Sequence, residues 1–285
     1  MPELPEVEGL ARVLRARCVG RTVTGAVLLA FMCLKTTAWP VSSLVGEQVS
    51  EVERHGKFLG VRVGGIWLVI HLAHAGWIVW RDSLPAAPPR RGPLALRLVF
   101  DDDTSLDVTE AGTRKNLSLY LVADLSEVPG LAGLGIEPLD EAFTPERLDE
   151  ILTAAGAAHL KGVLRDQRLI AGIGNAYSDE IIWAARLSPF AACSRLGTTQ
   201  RMELYAAIRD VLSAAVDDLS GRETGDLKPH KKAGFAVHGR TGEPCPRCGA
   251  TIAEVSFADS SLQYCPVCQT GGHRLADRRM SRLLK

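Results

Sequence analysis

Short runs of β-forming residues alternate with turn residues over the first 125 positions of the chain. Ahead of these runs, apolar residues from Val7 to Leu14 recur at helical spacing, and Pro5 followed by Glu6 favours a helix start. Residues 1–125 are therefore predicted to form a β-sandwich domain with one leading helix. The predicted strands cover residues 22–29, 48–54, 58–63, 67–72, 77–81, 94–100, 105–108 and 117–122.

After a connector over residues 126–140, the apolar period becomes helical. Thr144 followed by Pro145 is typical of a helix start, with threonine as the cap. A glycine-bearing turn over 166–174 joins the second and third predicted helices, an arrangement found in DNA-binding domains. Residues 126–219 are therefore predicted as a helical, DNA-binding domain. Its helices are predicted over 144–152, 160–164, 175–185 and 198–219.

The last segment, residues 220–285, is predicted to contain a mobile polar loop over 220–236, a hairpin over 251–264 and a basic tail. A proline-rich stretch over 85–93 is expected to be a surface loop. The whole pattern predicts a multi-domain α+β protein.

Four cysteines of the last segment form two Cys-x2-Cys pairs, which are separated by 16 residues. This spacing is typical of a four-thiolate structural zinc site. Disulfides are the alternative, but no secretory signal is visible and the other cysteines are scattered singly, so a reducing compartment favours metal. One structural zinc ion is therefore expected on Cys245, Cys248, Cys265 and Cys268.

Composition fits an ordinary globular protein, since 46% of the 285 residues are hydrophobic and 23% are charged. No apolar run approaches the roughly 20 residues of a membrane helix, so we expect no membrane span and a cytoplasmic location. The net charge of zero argues mildly against nucleic-acid binding. However, residues 222–285 hold 11 Lys and Arg against 6 Asp and Glu, and this net charge of +5 suits phosphate contact.

The N-terminus offers a candidate nucleophile. Met1 precedes a small residue and is expected to be removed, which would leave Pro2 with a secondary amine. Such an amine can attack a carbonyl-like carbon and form an iminium adduct. Glu3 and Glu6 lie beside it in sequence and have carboxylates that can move protons. From these residues alone, an ordinary helix start is an equally good interpretation.

Motifs spread over nearly the whole chain resemble the formamidopyrimidine-DNA glycosylase / endonuclease VIII family of base-excision repair enzymes. No single motif would suffice, but their order and spacing together make the resemblance specific. The motifs are Pro2–Glu6, His55–Phe58, His71–Leu72, Leu134–Leu139, Gly172–Tyr177, Val237–Cys245 and Cys265–Gln269.

The resemblance implies a helix–two-turn–helix domain and a lyase built on Pro2, which would attack C1′ of a nucleotide flipped out of the stack. It implies that Glu3 is the general acid, that Glu6 supports it, and that the strand is cut by β,δ-elimination. Lys57 would hold a phosphate near the lesion. Asn175 would contact another phosphate at a helix N-terminus, although it is also a plausible helix cap.

The chain departs from the family pattern at several DNA-contacting positions. Ser260 stands where the family's zinc hairpin carries an arginine. His74 stands where the family inserts a methionine into the gap left by the flipped base. Arg114 aligns with the inserted arginine, and Asn116 then replaces a phenylalanine. The loop over 220–236 also looks short for one that closes over 8-oxoguanine.

These departures predict a diverged DNA glycosylase and abasic-site lyase with a non-standard substrate preference. The expected partner is damaged or abasic DNA, double- or single-stranded, and the protein is expected to be a monomer. The alternative is a non-catalytic binder of damaged DNA that retains the fold. A zinc-ribbon regulatory protein is a poorer hypothesis, because it does not explain Pro2, Glu3 or Lys57.

Overall fold

The structure, a computed structural model, describes residues 1–84, 92–227, 234–257 and 260–275. Parts of the predicted proline-rich loop, polar loop and basic tail therefore lie outside the described residues. The chain divides into two compact units. The first unit is Met1–Leu134 with Val216–Lys228, and the second is Gly135–Ala215 with Pro229–Lys285. The predicted domain boundaries after residues 125 and 219 stay predictions.

The first unit opens with helix α1, Leu4–Cys18. Glu3 and Glu6 form a capping box, in which each carboxylate accepts the backbone N–H of the other residue, and Pro5 lies in the first turn. The buried face of the helix includes Leu10 and Leu14, which have no exposed surface. Burial of each of these side chains contributes about 1.5–3 kcal/mol. The predicted leading helix is confirmed.

Two antiparallel four-stranded sheets follow α1 in the described part of the first unit, and their facing sides form one hydrophobic core. The strands are β1 Val23–Leu28, β2 Val49–His55, β3 Phe58–Val63, β4 Ile66–His71, β5 Gly76–Arg81, β6 Leu94–Phe100, β7 Ser105–Glu110 and β8 Ser118–Val122. In the first sheet the strand order is β1-β6-β7-β5, and in the second it is β2-β3-β4-β8. The predicted sandwich is confirmed, with strand ends shifted by a few residues.

The second unit contains four helices, a β-hairpin and a short last helix among its described residues. The elements are α2 Pro145–Ala155, α3 Leu160–Arg165, α4 Asn175–Ala184, α5 Thr198–Asp218, β9 Ala253–Ser256, β10 Ser261–Tyr264 and α6 Pro266–Thr270. Thr144 caps α2, and its hydroxyl accepts the N–H of Arg147, as the sequence predicts. The chain passes from the second unit into the first within α5.

The first part of the predicted mobile loop is packed into the first unit. Thr224 is 2% exposed; its carbonyl accepts the indole N–H of Trp77, and its hydroxyl accepts the backbone N–H of Trp80. Leu219 and Leu227 join the core of the same unit. The chain up to Leu227 is therefore held by hydrogen bonds and apolar contacts. No helix in the described ranges is long and apolar enough to cross a membrane.

Candidate active site and nucleic-acid interface

The N-terminal residues are held in one arrangement by the start of α1. Pro2 is buried, Glu3 is 2% exposed and Glu6 has no exposed surface. The backbone N–H of Glu3 donates to Oε2 of Glu6 at 2.8 Å. Met1 is part of this structure and is 44% exposed, so the nitrogen of Pro2 is an amide here. Removal of Met1 would convert that nitrogen into a secondary amine directly before Glu3.

Lys57 lies in the two-residue turn between β2 and β3, after Gly56, whose φ of +56° favours glycine. Its side chain is only 8% exposed. Burial, followed by the charges of Lys57 and His74, lowers the pKa of His71. Lys57, His71 and His74 therefore lie close together at one end of the sandwich. A neutral imidazole at His71 keeps repulsion within this group small.

Two neighbouring turns present His74 and Arg114. The turn after β4 is tight, because a Cβ on Gly76 would lie 2.3 Å from the carbonyl oxygen of Leu72. The loop after β7 contacts this turn through Ala111, whose N–H donates to Ala75 at 3.3 Å. His74 and Arg114 are both exposed at this end of the first unit.

The loop that carries Arg114 is organised by Glu110, which is 4% exposed. One carboxylate oxygen of Glu110 accepts the N–H of Asn116 at 2.7 Å and of Leu117 at 2.9 Å. Nothing local in the sequence indicated this role for Glu110, because it lies beyond the strand predicted over 105–108 and belongs to no motif.

Asn175 is the first residue of α4, in the second unit, and Gly174 is the cap. The carboxamide is therefore not the helix cap. Its Nδ2 donates to the carbonyl of Ser261 at 2.8 Å, and its Oδ1 is buried without a hydrogen-bond partner in the described part of the protein. The positive end of the helix dipole lies at this first turn, which makes the start of α4 suited to phosphate.

Ser260 lies in the hairpin turn, directly before β10. Its carbonyl accepts the N–H of Phe257 at 2.7 Å, which closes the turn. Because Ser261 is bonded to Asn175, the structure brings Ser260 and Asn175 to the same part of the second unit.

A buried network that the sequence did not reveal fixes the start of α4. The ammonium group of Lys161 donates to the carbonyl of Asn175, to the hydroxyl of Ser178 and to a carboxylate oxygen of Asp179. The other oxygen of Asp179 is 2.8 Å from Nδ1 of His238. The sequence signal that could have indicated this network is Asp179 in a mostly apolar helix, because a buried carboxylate needs hydrogen-bond or ionic partners.

Glu180 makes a second connection between α4 and the segment that leads to the zinc hairpin. Its carboxylate accepts the N–H groups of Ala236, Val237 and His238 at 2.8, 2.9 and 2.7 Å. Burial raises the pKa of Glu180 despite these hydrogen bonds. The entry to the hairpin is thus tied to the helix that begins at Asn175.

The four cysteines of the hairpin converge. Their Sγ atoms all lie within 4.8 Å of one another, with 4.0 Å between Cys245 and Cys268 and 3.5 Å between Cys248 and Cys265. A tetrahedral zinc with Zn–S bonds of about 2.3 Å places sulfur atoms about 3.8 Å apart. The site therefore fits one structural zinc ion, and four thiolates leave no open position for catalysis.

The zinc site is also packed against α4. The guanidinium of Arg247, between two of the ligands, lies 4.0 Å from the ring centroid of Trp183 and donates to the carbonyls of Trp183 and Ala184. This cation–π contact ties the metal site to the C-terminal end of α4.

A β-sandwich with an acidic, proline-led N-terminus, a helical unit with an anion-suited helix start, and a four-cysteine hairpin define a zinc-finger DNA glycosylase architecture. The chain belongs to the formamidopyrimidine-DNA glycosylase family. The family models match in chain order. The formamidopyrimidine-DNA glycosylase N-terminal domain matches residues 1–115, the H2TH domain of that family matches 134–225, and the zinc finger found in FPG and IleRS matches 242–271.

Comparisons with individual proteins of known sequence or structure agree with this family assignment. The chain is 52% identical over 154 residues to an uncharacterized formamidopyrimidine-DNA glycosylase-like protein of Mycobacterium tuberculosis, covering 52% of this chain and 98% of that protein. It is 36% identical over 282 residues to the formamidopyrimidine-DNA glycosylase of Thermus thermophilus, covering 95% and 100%. Its structure matches the Fpg protein of Lactococcus lactis in complex with abasic-site DNA, with a TM-score of 0.83, 28% identity, and coverage of 94% and 99%.

Proposed function

We propose that this protein is a DNA glycosylase and abasic-site lyase that acts on damaged DNA. The observation that carries the proposal is the arrangement at the start of α1, where buried Pro2 adjoins Glu3 and the Glu3 backbone is held by Glu6. The DNA complexes of related proteins, including one with an abasic site, support DNA as the ligand.

The amine of Pro2 would attack C1′ and expel the damaged base, with Glu3 supplying a proton to open the sugar. The resulting iminium makes the C2′ proton acidic, so that its loss eliminates the 3′ phosphate and a second elimination releases the 5′ phosphate. The amine needs to be unprotonated to attack, and an α-amino group has a pKa of about 7.7–8.0 in model peptides. Lys57, in the first unit, and Asn175, in the second, would each contact a phosphate of the bound DNA.

The non-catalytic binder remains the second candidate, and whether Met1 is kept or removed helps to distinguish it from the lyase. A chain that kept Met1 would have no secondary amine at Pro2, and its only α-amino group would be that of Met1. The two candidates therefore differ in the mass of the purified protein as well as in activity.

Borohydride trapping on abasic-site DNA tests the proposal. We expect intact-mass measurement to show loss of Met1, and we expect the wild-type protein to form a covalent adduct after reduction. Pro2→Gly keeps a small second residue and should reduce trapping by at least about 100-fold, the scale of a lost positioned catalytic group. Pro5→Ala alters the other proline of the same helix start and should trap normally. A wild-type protein that gives no adduct with any abasic substrate would make the binder the better hypothesis.

A further inference from the structure

A groove of about 490 Å³ lies in the second unit, between the segment after α4, the residue before α3, the first turn of α5 and α6. It is lined by the exposed side chains of Arg186, Arg195 and His159, together with the half-buried ring of Phe190. Among the described residues that line the groove, none is an aspartate or a glutamate. The lining is therefore positively charged and partly aromatic.

The walls of the groove are held by hydrogen bonds. Residues His159 and Ala192 form an antiparallel bridge, and the N–H of Leu160 donates to Ala191 at 2.9 Å. On the side formed by α6, the buried amide of Gln269 accepts the N–H of Cys265 and donates to the carbonyl of Leu187. The groove is thus preformed, so a ligand does not have to order its walls.

Arg186 occupies a position that favours glycine. The N–H of Arg186 bonds to Trp183 and the N–H of Leu187 bonds to Ile182, which is the Schellman pattern that ends α4. The φ of Arg186 is +57°, a strained value for a residue with a side chain. The fold therefore retains a long cationic side chain where glycine would be easier to accommodate.

Aromatic rings connect the groove to the hairpin turn. Phe190 lies 5.3 Å from the ring of His159 and 6.5 Å from the ring of Phe257, which is 39% exposed. Phe257 belongs to the same turn as Ser260, which carries no charge. A positively charged groove that carries aromatic side chains is the combination that binds single-stranded nucleic acid.

We propose that this groove binds a single-stranded segment of DNA. Arg186 and Arg195 contact phosphates, and Phe190 stacks on a base. The ten residues of α4 span about 15 Å, so this surface is separate from the helix start at Asn175. The inference goes beyond the proposed function and does not depend on catalysis by Pro2.

The first test measures binding of an undamaged, fluorescein-labelled oligothymidylate of about 20 nucleotides, which exceeds the roughly 4–16 nucleotides of common single-strand sites. Arg186→Gly combined with Arg195→Gln should weaken binding about tenfold or more at low salt. It should also reduce the slope of log affinity against log salt by about 1.4, since each single-strand phosphate contact contributes about 0.7. Arg186→Gly should keep or raise the melting temperature, because glycine suits the helix end.

Arg147→Gln is the matched control, because it removes one cation from an exposed ion pair on α2 that does not line the groove. It should change affinity by less than about twofold. Phe190→Leu, checked for normal zinc content and melting, should weaken single-strand binding about fivefold or more.

The same variants are compared on an undamaged duplex of matched sequence. We expect a smaller loss there, because paired bases do not offer their faces to Phe190. An equal loss on duplex and single strand, or a double variant that binds like Arg147→Gln, would overturn the proposal. Trapping on abasic DNA is measured in parallel, so that a failure of the groove proposal and a failure of the proposed lyase give different results.

Discussion

Asp107, in β7, is the buried partner of two guanidinium groups. It is 1% exposed and accepts from Nε and Nη2 of Arg97 at 2.6 and 2.7 Å and from Nε of Arg81 at 2.7 Å. Burial by itself would raise the pKa of Asp107, but the two arginines hold it below its usual range. The charged form is therefore the one that stabilises the first sheet.

This arrangement makes a prediction about acid stability. Asp107→Asn should lower the free energy of unfolding by about 3–5 kcal/mol near neutral pH, because it leaves buried arginine charge uncompensated. The contribution of Asp107 is present above the unfolded-state pKa of about 3.9 and is lost as the pH falls through the lower folded-state value. The difference between wild type and variant should therefore shrink below about pH 4 in urea unfolding.

An exposed ion pair provides the control. Glu150→Gln, which removes the partner of Arg147 at the surface of α2, should cost less than about 1 kcal/mol at any pH. A difference between wild type and Asp107→Asn that stayed constant down to the acid limit would show that the carboxylate charge is not what stabilises the sheet.

The residue scale also shows what could be predicted from the sequence. The cysteine pairs and the Pro2–Glu3 start could be identified from the sequence because each is a local pattern. The network of Lys161, Asp179 and His238 was not, because Asp179 lies 18 residues from the lysine and 59 from the histidine. Contacts over such distances depend on how the helices and the hairpin pack, which no spacing rule gives.

At the scale of elements, the strands and helices of the described residues follow the predicted ones closely, since strand and helix patterns are local. The pairing of strands was not predicted. Leu28 of β1 pairs with Leu96 of β6, for example, and sequence order does not reveal that the two meet. The hydrogen bonds of Thr224 with Trp77 and Trp80 were not predicted either. They join residues far apart in sequence, and the polar composition around Thr224 indicated only a loop.

The zinc hairpin allows a prediction at this scale. Cys245→Ser should abolish stoichiometric zinc, measured by metal analysis, and unfold the hairpin, because the short strands β9 and β10 cannot hold the site without metal. DNA affinity should fall, since Ser261 and Asn175 lose their shared bond. The β-sandwich should stay folded, because the two compact units have separate cores.

Cys193→Ala serves as the matched variant, since Cys193 is a buried cysteine of the same unit that is not among the four converging thiols. It should retain one zinc ion per chain and near-normal DNA binding. Zinc retained by Cys245→Ser, or lost equally by Cys193→Ala, would contradict the four-thiolate assignment.

For the whole molecule, the departures from the family pattern at the proposed DNA-contacting positions lead to a prediction about substrate preference. In the proposed DNA complex, Ser260 would leave the hairpin turn without the charged phosphate contact that the resemblance implies, and His74 would make the wedge smaller and more polar than methionine. Both changes would reduce the binding energy available to offset base unstacking. Unstacking costs a few kcal/mol, and it costs least at sites that are already unpaired or abasic. We therefore predict faster cleavage at an abasic site in a single strand than excision of 8-oxoguanine from an intact duplex.

The comparison uses single-turnover rates on these two substrates, with Ser260→Arg and His74→Met as restoring variants. Each should raise the duplex rate and leave the single-strand abasic rate within about twofold, because neither position is needed when no base has to be extracted. Thr251→Arg, at an exposed position ahead of β9 in the same unit, controls for added positive charge alone. If wild type processes the duplex lesion as fast as the abasic strand, other contacts compensate for Ser260 and His74. Arg186 and Arg195 are then the first positions to test, because they supply charge in the same unit as the hairpin turn.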